Sequence, residues 1–167
     1  MAIRKIIYLP DPRLRKVSVP VETFDDKLLA LIDDMFETMY DARGVGLAAP
    51  QIGINIRLSV VDASGDKTQR LVLANPEIIA SEGLIEYQEG CLSVPSVYDT
   101  VRRAEKVTLR AQDQFGEFYE MQAEGLLGEC FQHEIDHLNG KLFVDLLSPL
   151  KRAMARKKLD NFKRHQR

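Results

Sequence analysis

Two histidines four residues apart, with a glutamate directly after the first, are the residues of this chain best placed to do chemistry. They lie in Gln132-His133-Glu134-Ile135-Asp136-His137, which reads H-E-x-x-H. On an α-helix, residues four apart stand one turn apart on one face, so both imidazoles can point at a single metal ion. Glu134, beside that face, is placed to take a proton from a water on that metal. The chain has only 3 histidines, so two of them here, with a glutamate in the required slot, favour a metal site over a merely hydrogen-bonded buried helix.

A catalytic metal usually takes three protein ligands and keeps a fourth position for water. A third histidine after H-E-x-x-H-x-x-G-x-x would fall at position 143, which holds Phe143. No glutamate follows Glu134, so the downstream-Glu arrangement is excluded as well. Asp145, Asp160 and the cysteines remain. Cys130 shares the helix, about 10 Å along its axis from His137. It cannot converge with both histidines on one ion and reads as a small core residue. Cys91 arrives from a distant segment, Glu89-Gly90-Cys91-Leu92-Ser93-Val94-Pro95, whose Gly90 and Pro95 shape the backbone around the thiol. The preferred ligand set is therefore Cys91, His133 and His137, with water fourth.

The elements that must position these groups can be read in outline. From Asp25 to Ala42, Leu28, Ile32, Met35, Phe36 and Met39 recur at helical spacing, and the helix ends near Gly44. Gly44 to Gln51 matches a loose dinucleotide fingerprint, but a helix precedes it and Pro50 would interrupt a helix after it, so that reading fails. A close-packed segment remains, with one polar side chain, Gln51, amid apolar neighbours. Leu58–Val61 and Leu71–Leu73 read as strands, the second ended by Asn75-Pro76. Another runs from Ile78 through Gly83 towards Tyr87. Val107, Leu109 and Ala111 alternate with polar residues and pair with Phe118–Met121 across a turn. The His133 helix starts near Glu124 or Leu126 and stops at Asn139-Gly140. Gly128 inside it weakens the helix and implies that another backbone or a ligand lies close. Ser148-Pro149 starts a last helix. Strands grouped apart from helices make the fold class α+β, with 1–167 as a single catalytic domain.

Composition is that of an ordinary globular protein; nothing is long enough to cross a membrane, and the N-terminal apolar run is too short for a signal peptide. With 2 cysteines, one a candidate ligand, no disulfide framework or disulfide-linked partner is expected, and a reducing cytoplasm fits best. The net charge of −2 hides an asymmetry: 151–167 holds eight Lys or Arg against one Asp, leaving −9 on the rest. Residues 148–167 are expected to form a basic C-terminal helix.

Three segments, Gly44-Val45-Gly46-Leu47-Ala48-Ala49-Pro50-Gln51, Glu89-Gly90-Cys91-Leu92 and Gln132-His133-Glu134-Ile135-Asp136-His137, together and in this order resemble the three motifs of peptide deformylases. These enzymes remove the formyl group from the formyl-methionine of nascent polypeptides and release formate. The resemblance implies antiparallel sheets surrounding a central metal-bearing helix, with an N-terminal and a C-terminal helix. It implies a site held by Cys91, His133 and His137, natively ferrous (Fe2+), with Zn2+, Ni2+ or Co2+ able to occupy it. Glu134 would serve as general base and then acid, and the Gln51 amide and the Leu92 backbone N–H would stabilise the oxyanion. Val45, Tyr87, Leu126 and Glu129 would lie along the methionine pocket. Glu129 stands where the family more usually has an apolar residue, and it is expected to face solvent from the helix. Gly46 and Gly90 would let the substrate backbone approach, and Glu89 and Arg103 would pair behind the ligands. N-formylmethionyl peptides are the expected partners, with the ribosome a second through the basic helix. Two rival readings are a zinc peptidase and a non-catalytic metal-binding protein that recognises blocked N-termini; retention of both Glu134 and Gln51 argues against the latter, since metal binding needs neither.

Overall fold

Leu58-Ser59-Val60-Val61 is buried at every residue, which a strand requires only when both faces of its sheet are covered. Alternation along this strand and its neighbour shows what covers them. Leu58, Val60, Val72 and Ala74 pack against Leu28, Ile32, Met35, Phe36 and Met39 of the first helix. Val61 and Leu73, facing the other way, pack against Cys130 and Phe131 of the H-E-x-x-H helix.

The computed structural model describes residues 2–165; Met1 and residues 166 and 167, the end of the basic segment, lie outside the described residues. Helix α1 spans Asp26–Asp41, capped by the Asp25 carboxylate, which accepts from Leu28 N at 3.0 Å. Five antiparallel strands form one sheet in the order β1 (Gly46–Ala48), β2 (Leu58–Val61), β3 (Leu71–Glu82), β6 (Lys106–Gln112), β7 (Phe118–Glu124). Strands β4 (Ile85–Cys91) and β5 (Val94–Arg103) form a separate antiparallel pair. Helix α2 (Gly125–Leu138) follows β7 directly and packs against β1, β2, β6 and β7. Helix α3 (Pro149–His165) closes the chain, and Ser148 Oγ accepts from Lys151 N. Its Ala155 and Leu159 share a third apolar cluster with Val94, Val97 and Val101 of β5. The class is α+β, as the sequence implies. No helix among the described residues is long and apolar enough to cross a membrane.

Two strand boundaries differ from expectation. Asn75-Pro76 does not end β3; the strand absorbs both residues in a bulge, with the register slipping between Ala74 and Glu77 and Asn75 at φ +48°. The Asn75 side chain makes this tolerable by accepting from Val21 N and donating to Val21 O and Gln112. The strand expected to run through Gly83 instead breaks there, at φ +72°, so β3 and β4 enter different sheets. Within α2, Gly128 has the close backbone that its presence implies: a Cβ would stand 3.0 Å from Ala123 O.

Gly140, just past α2, has φ +76°, and a Cβ there would lie 2.5 Å from Arg15 O. Gly140→Ala should therefore lower stability by about 2–4 kcal/mol, combining left-handed strain with a backbone clash. Gly65→Ala, at φ +79° with nothing within 4 Å, should lose only about 1–2 kcal/mol. Urea unfolding of the two variants side by side checks the difference.

Candidate metal centre

Helix α2 carries His133 and His137 on one face, and the β4–β5 hairpin carries Cys91 to them. The register slips between Gly90 and Cys91, and Leu92-Ser93 turns the chain back into Val94, so the thiol is presented at the tip of the pair. The Nε2 atoms of the two histidines are 3.1 Å apart, and Cys91 Sγ lies 3.3 Å from His137 Nε2. All three ligand atoms fall within 4.8 Å of one another. Two nitrogens bound to one tetrahedral ion stand about 3.3 Å apart, given metal–nitrogen bonds of about 2.0–2.1 Å. A thiolate with two imidazoles suits zinc or iron and not magnesium.

The two imidazoles titrate in opposite directions. Burial opposes a charge on His133, but its bonds to Cys91 and Glu89 outweigh that and raise its pKa well above the usual value. Burial and the neighbouring His133 charge push His137 well below.

Behind the ligands, His133 Nδ1 meets Glu89 Oε1 at 2.6 Å, which leaves Nε2 directed at the centre. Arg103 grips the same carboxylate with two bonds, 2.6 and 2.7 Å, and reaches Asp136 at 2.9 Å. Burial disfavours the Glu89 charge, but the bonds from Arg103 and His133 prevail and hold its pKa at about 2. Gln132 accepts from Ala104 N and donates to Ala104 O, pinning α2 to the end of β5. The Glu89–Arg103 pair is expected from the sequence, whereas the tasks of Asp136 and Gln132 are not. Both are braces, and both lie inside the motif.

Glu134 is 3% exposed, and its Oε1 has no hydrogen-bond partner among the described residues. Burial raises its pKa to about 7. Gly46 makes room for it: a Cβ there would sit 2.5 Å from Glu134 Oε2. Gln51 lies in a 3-10 turn, Ala49–Ile52, and its orientation is fixed. Its Oε1 accepts from Ala48 N at 2.9 Å, while Nε2 points to Ser93 Oγ at 3.2 Å and Cys91 Sγ at 3.7 Å.

One cleft, of roughly 530 Å³, is lined by Val45, Gly46, Gln51, Gly90, Leu92, Leu126 and Glu129 together with Cys91, His133 and Glu134. Tyr87 is not in its wall. Two residues before Glu89, it is carried about 7 Å further from the hairpin tip, at 3.3 Å per residue. Its hydroxyl is buried without a partner among the described residues. Glu129 does not face solvent as expected: it is 8% exposed, and burial, reinforced by the Glu89 charge, raises its pKa to about 7. The signal was present, because Glu129 stands four residues before His133 on the same helix face. Cys130 is a core thiol, 5% exposed, whose pKa burial pushes up. Tyr8 and Phe162, unremarked in the sequence, also line the cleft.

Comparison with known proteins agrees with this geometry. Residues 3–153 match the family model described as polypeptide deformylase. The peptide deformylase of Azotobacter vinelandii is 58% identical over 161 residues, covering 96% of both chains. That of Cellvibrio japonicus is 53% identical over 167 residues, 99% of this chain and 98% of the relative. The crystal structure of a peptide deformylase from Legionella pneumophila superposes with a TM-score of 0.97 at 69% identity, covering 99% of this chain and 98% of that one. The family favours deformylation over the two rival readings, a peptidase or a non-catalytic binder. With a cysteine and two histidines converging beside a buried carboxylate, and relatives alike over nearly their full length, this chain belongs to the peptide deformylases, the metal-dependent hydrolases that remove the formyl group from the N-terminal methionine of nascent peptides.

Proposed function

We propose that Cys91, His133 and His137 hold one divalent ion, natively ferrous iron, and that Glu134 moves the proton during deformylation. The observation that carries this is the convergence of Sγ and two Nε2 atoms beside a buried carboxylate oxygen without a partner among the described residues. When bound, the ion supplies a Lewis acid that polarises the formyl carbonyl and acidifies water. Glu134 takes a proton from the attacking water as its oxygen bonds to the formyl carbon. It then gives that proton to the amide nitrogen as the C–N bond breaks, leaving formate and a free amine. Gln51 Nε2 and the Leu92 N–H donate to the carbonyl oxygen as charge gathers there; losing one such donor typically costs about 2.7–4 kcal/mol.

The substrate backbone pairs with β1, which lies at the edge of its sheet and is hydrogen-bonded on one side only to β2. Val45, Gly46, Gly90, Leu126 and Glu129 then surround the methionine end of the peptide. Thiolate ligation suits ferrous or zinc ions, and nickel or cobalt substitute. Both cysteines are free thiols, which accords with a cytoplasmic setting. Arg152, Arg156, Lys157, Lys158 and Arg164 are exposed on α3 and supply a basic face for ribosomal RNA. Truncation before Lys151 is a poor test of that docking, because it also removes Ala155 and Leu159 from the core. Charge reversal on α3 is the cleaner variant, and ribosome affinity that does not respond to it excludes the role.

Glu134→Gln should lower kcat by about 10²–10⁴ while metal content holds, since the amide cannot accept the proton; anaerobic metal analysis with a formate-release assay checks both. Gly46→Ala should lower kcat, with metal retained, by pressing on the Glu134 carboxylate; wild-type turnover in this variant would show that the close approach is idle. Arg103→Met removes the main support of Glu89. Metal affinity should drop about 10–100-fold. Stability should respond to pH as well. The depressed Glu89 pKa, from 4.5 to about 2, contributes stability above pH 4.5 that is lost as pH falls towards 2. With less depression in the variant, acid unfolding followed by circular dichroism should begin at higher pH.

A further inference from the structure

We propose that Tyr8 and Phe162 form an aromatic subsite in the cleft, taking an aromatic side chain of the formyl peptide downstream of its methionine. This rests on the reading of the cleft as the peptide-binding site and extends it to side chains that do not react.

Tyr8 is not on a loose arm. Ile7 N donates to Gln51 O at 2.8 Å and Leu9 N donates to Ser93 O at 3.0 Å. The ring is therefore set between the residue that offers the amide and the turn that follows Cys91. Phe162 comes from the last turns of α3 and meets Tyr8 edge to face, with centroids 5.9 Å apart and planes at 83°. Leu159, three residues earlier and 5% exposed, anchors that part of the helix in the cluster beneath β5. Both rings are only half-buried, and both line the same cleft as Cys91, His133 and Glu134.

A third ring, Tyr98, is 65% exposed on the same cleft. It lies against Gly90, where a Cβ would be 2.5 Å from its Cε1. The cleft thus carries three such rings among otherwise glycine, aliphatic and polar lining residues. An edge-to-face pair leaves ring surface open to one more aromatic partner, and such a contact adds to simple area burial. The apolar clusters of the core do not include Phe162, which lines the cleft from a helix rich in lysine and arginine.

The test compares formate release from formyl-Met-Ala-Ser, formyl-Met-Phe-Ser and formyl-Met-Ala-Phe by the metal-loaded full chain. The wild type should show a KM roughly 2- to 10-fold lower for one of the two phenylalanine peptides, with similar kcat. Phe162→Ala, and independently Tyr8→Leu, should bring that KM ratio close to one. Phe162→Leu, which keeps an apolar side chain on α3, should reduce the ratio partway and guards against misfolding of the alanine variant. Equal KM for all three peptides with the wild type overturns the subsite while leaving the catalytic reading intact. A uniform fall in kcat for every peptide in Phe162→Ala, with the ratio preserved, overturns it in favour of a purely structural ring. No formate from any peptide with the loaded wild type would overturn the catalytic reading and this one together.

Discussion

A buried carboxylate shared between a guanidinium and an imidazole holds the working parts of this enzyme in one frame. Glu89 belongs to β4, Arg103 to β5, and His133 and Asp136 to α2. The thiol and the histidines come from elements with no hydrogen-bonded ladder between them, since β4 and β5 form their own sheet. Only side chains can fix their relative position. The paired bonds from Arg103 to Glu89 lock hairpin and carboxylate together, and the bonds to His133 and Asp136 lock both to the helix. Desolvating this set is unfavourable, and an apolar cluster of the same volume would be at least as stable. What the charges supply is direction: an imidazole whose Nδ1 is held in place can only offer Nε2 to the centre.

The apolar scaffold does the coarser placement. With β2 covered by α1 on one face and α2 on the other, α2 is held against the sheet and cannot slide along it without opening cavities at Cys130 and Phe131. Gly128 lets the helix sit down on the end of β7, and Gln132 ties it to Ala104. Three further positions of the helix, Glu129, His133 and Glu134, are thereby turned to the cleft. The same helix serves as core along one side and as chemistry along the other.

The legibility of each feature in the sequence depends on how local it is. The H-E-x-x-H pair is a spacing of four within one helix, so periodicity alone places both rings on one face. Cys91 was reached by elimination, because few side chains can complete the ligand set. Glu129 is equally local, four residues before His133, but its charge points to solvent where its position points to the cleft. The partnership of Arg103 with Asp136 spans 33 residues and two elements, and no pattern announces it. Tyr8 and Phe162 meet across nearly the whole chain. The bulge at Asn75 was hidden for another reason: a proline normally ends a strand, and a side chain pairing with Val21, far upstream, is what allows it to continue.

Glu134 shows why such a site cannot be optimised for stability alone. Its carboxyl is 3% exposed, one oxygen lacks a partner among the described residues, and its pKa is lifted to about 7 by burial. A fully hydrogen-bonded carboxylate here would be more stable and chemically inert, because its lone pairs would be committed before any water arrived. Gly46 permits the exception by presenting backbone where any side chain would press on the acid. Arg103, paired with both Glu89 and Asp136, offsets part of the negative charge that those two carboxylates bring near the unpaired oxygen. A proton acceptor close to neutrality is thus a consequence first of burial and then of the charges around it, and the braces around the ligands are part of the chemistry along with the acid itself.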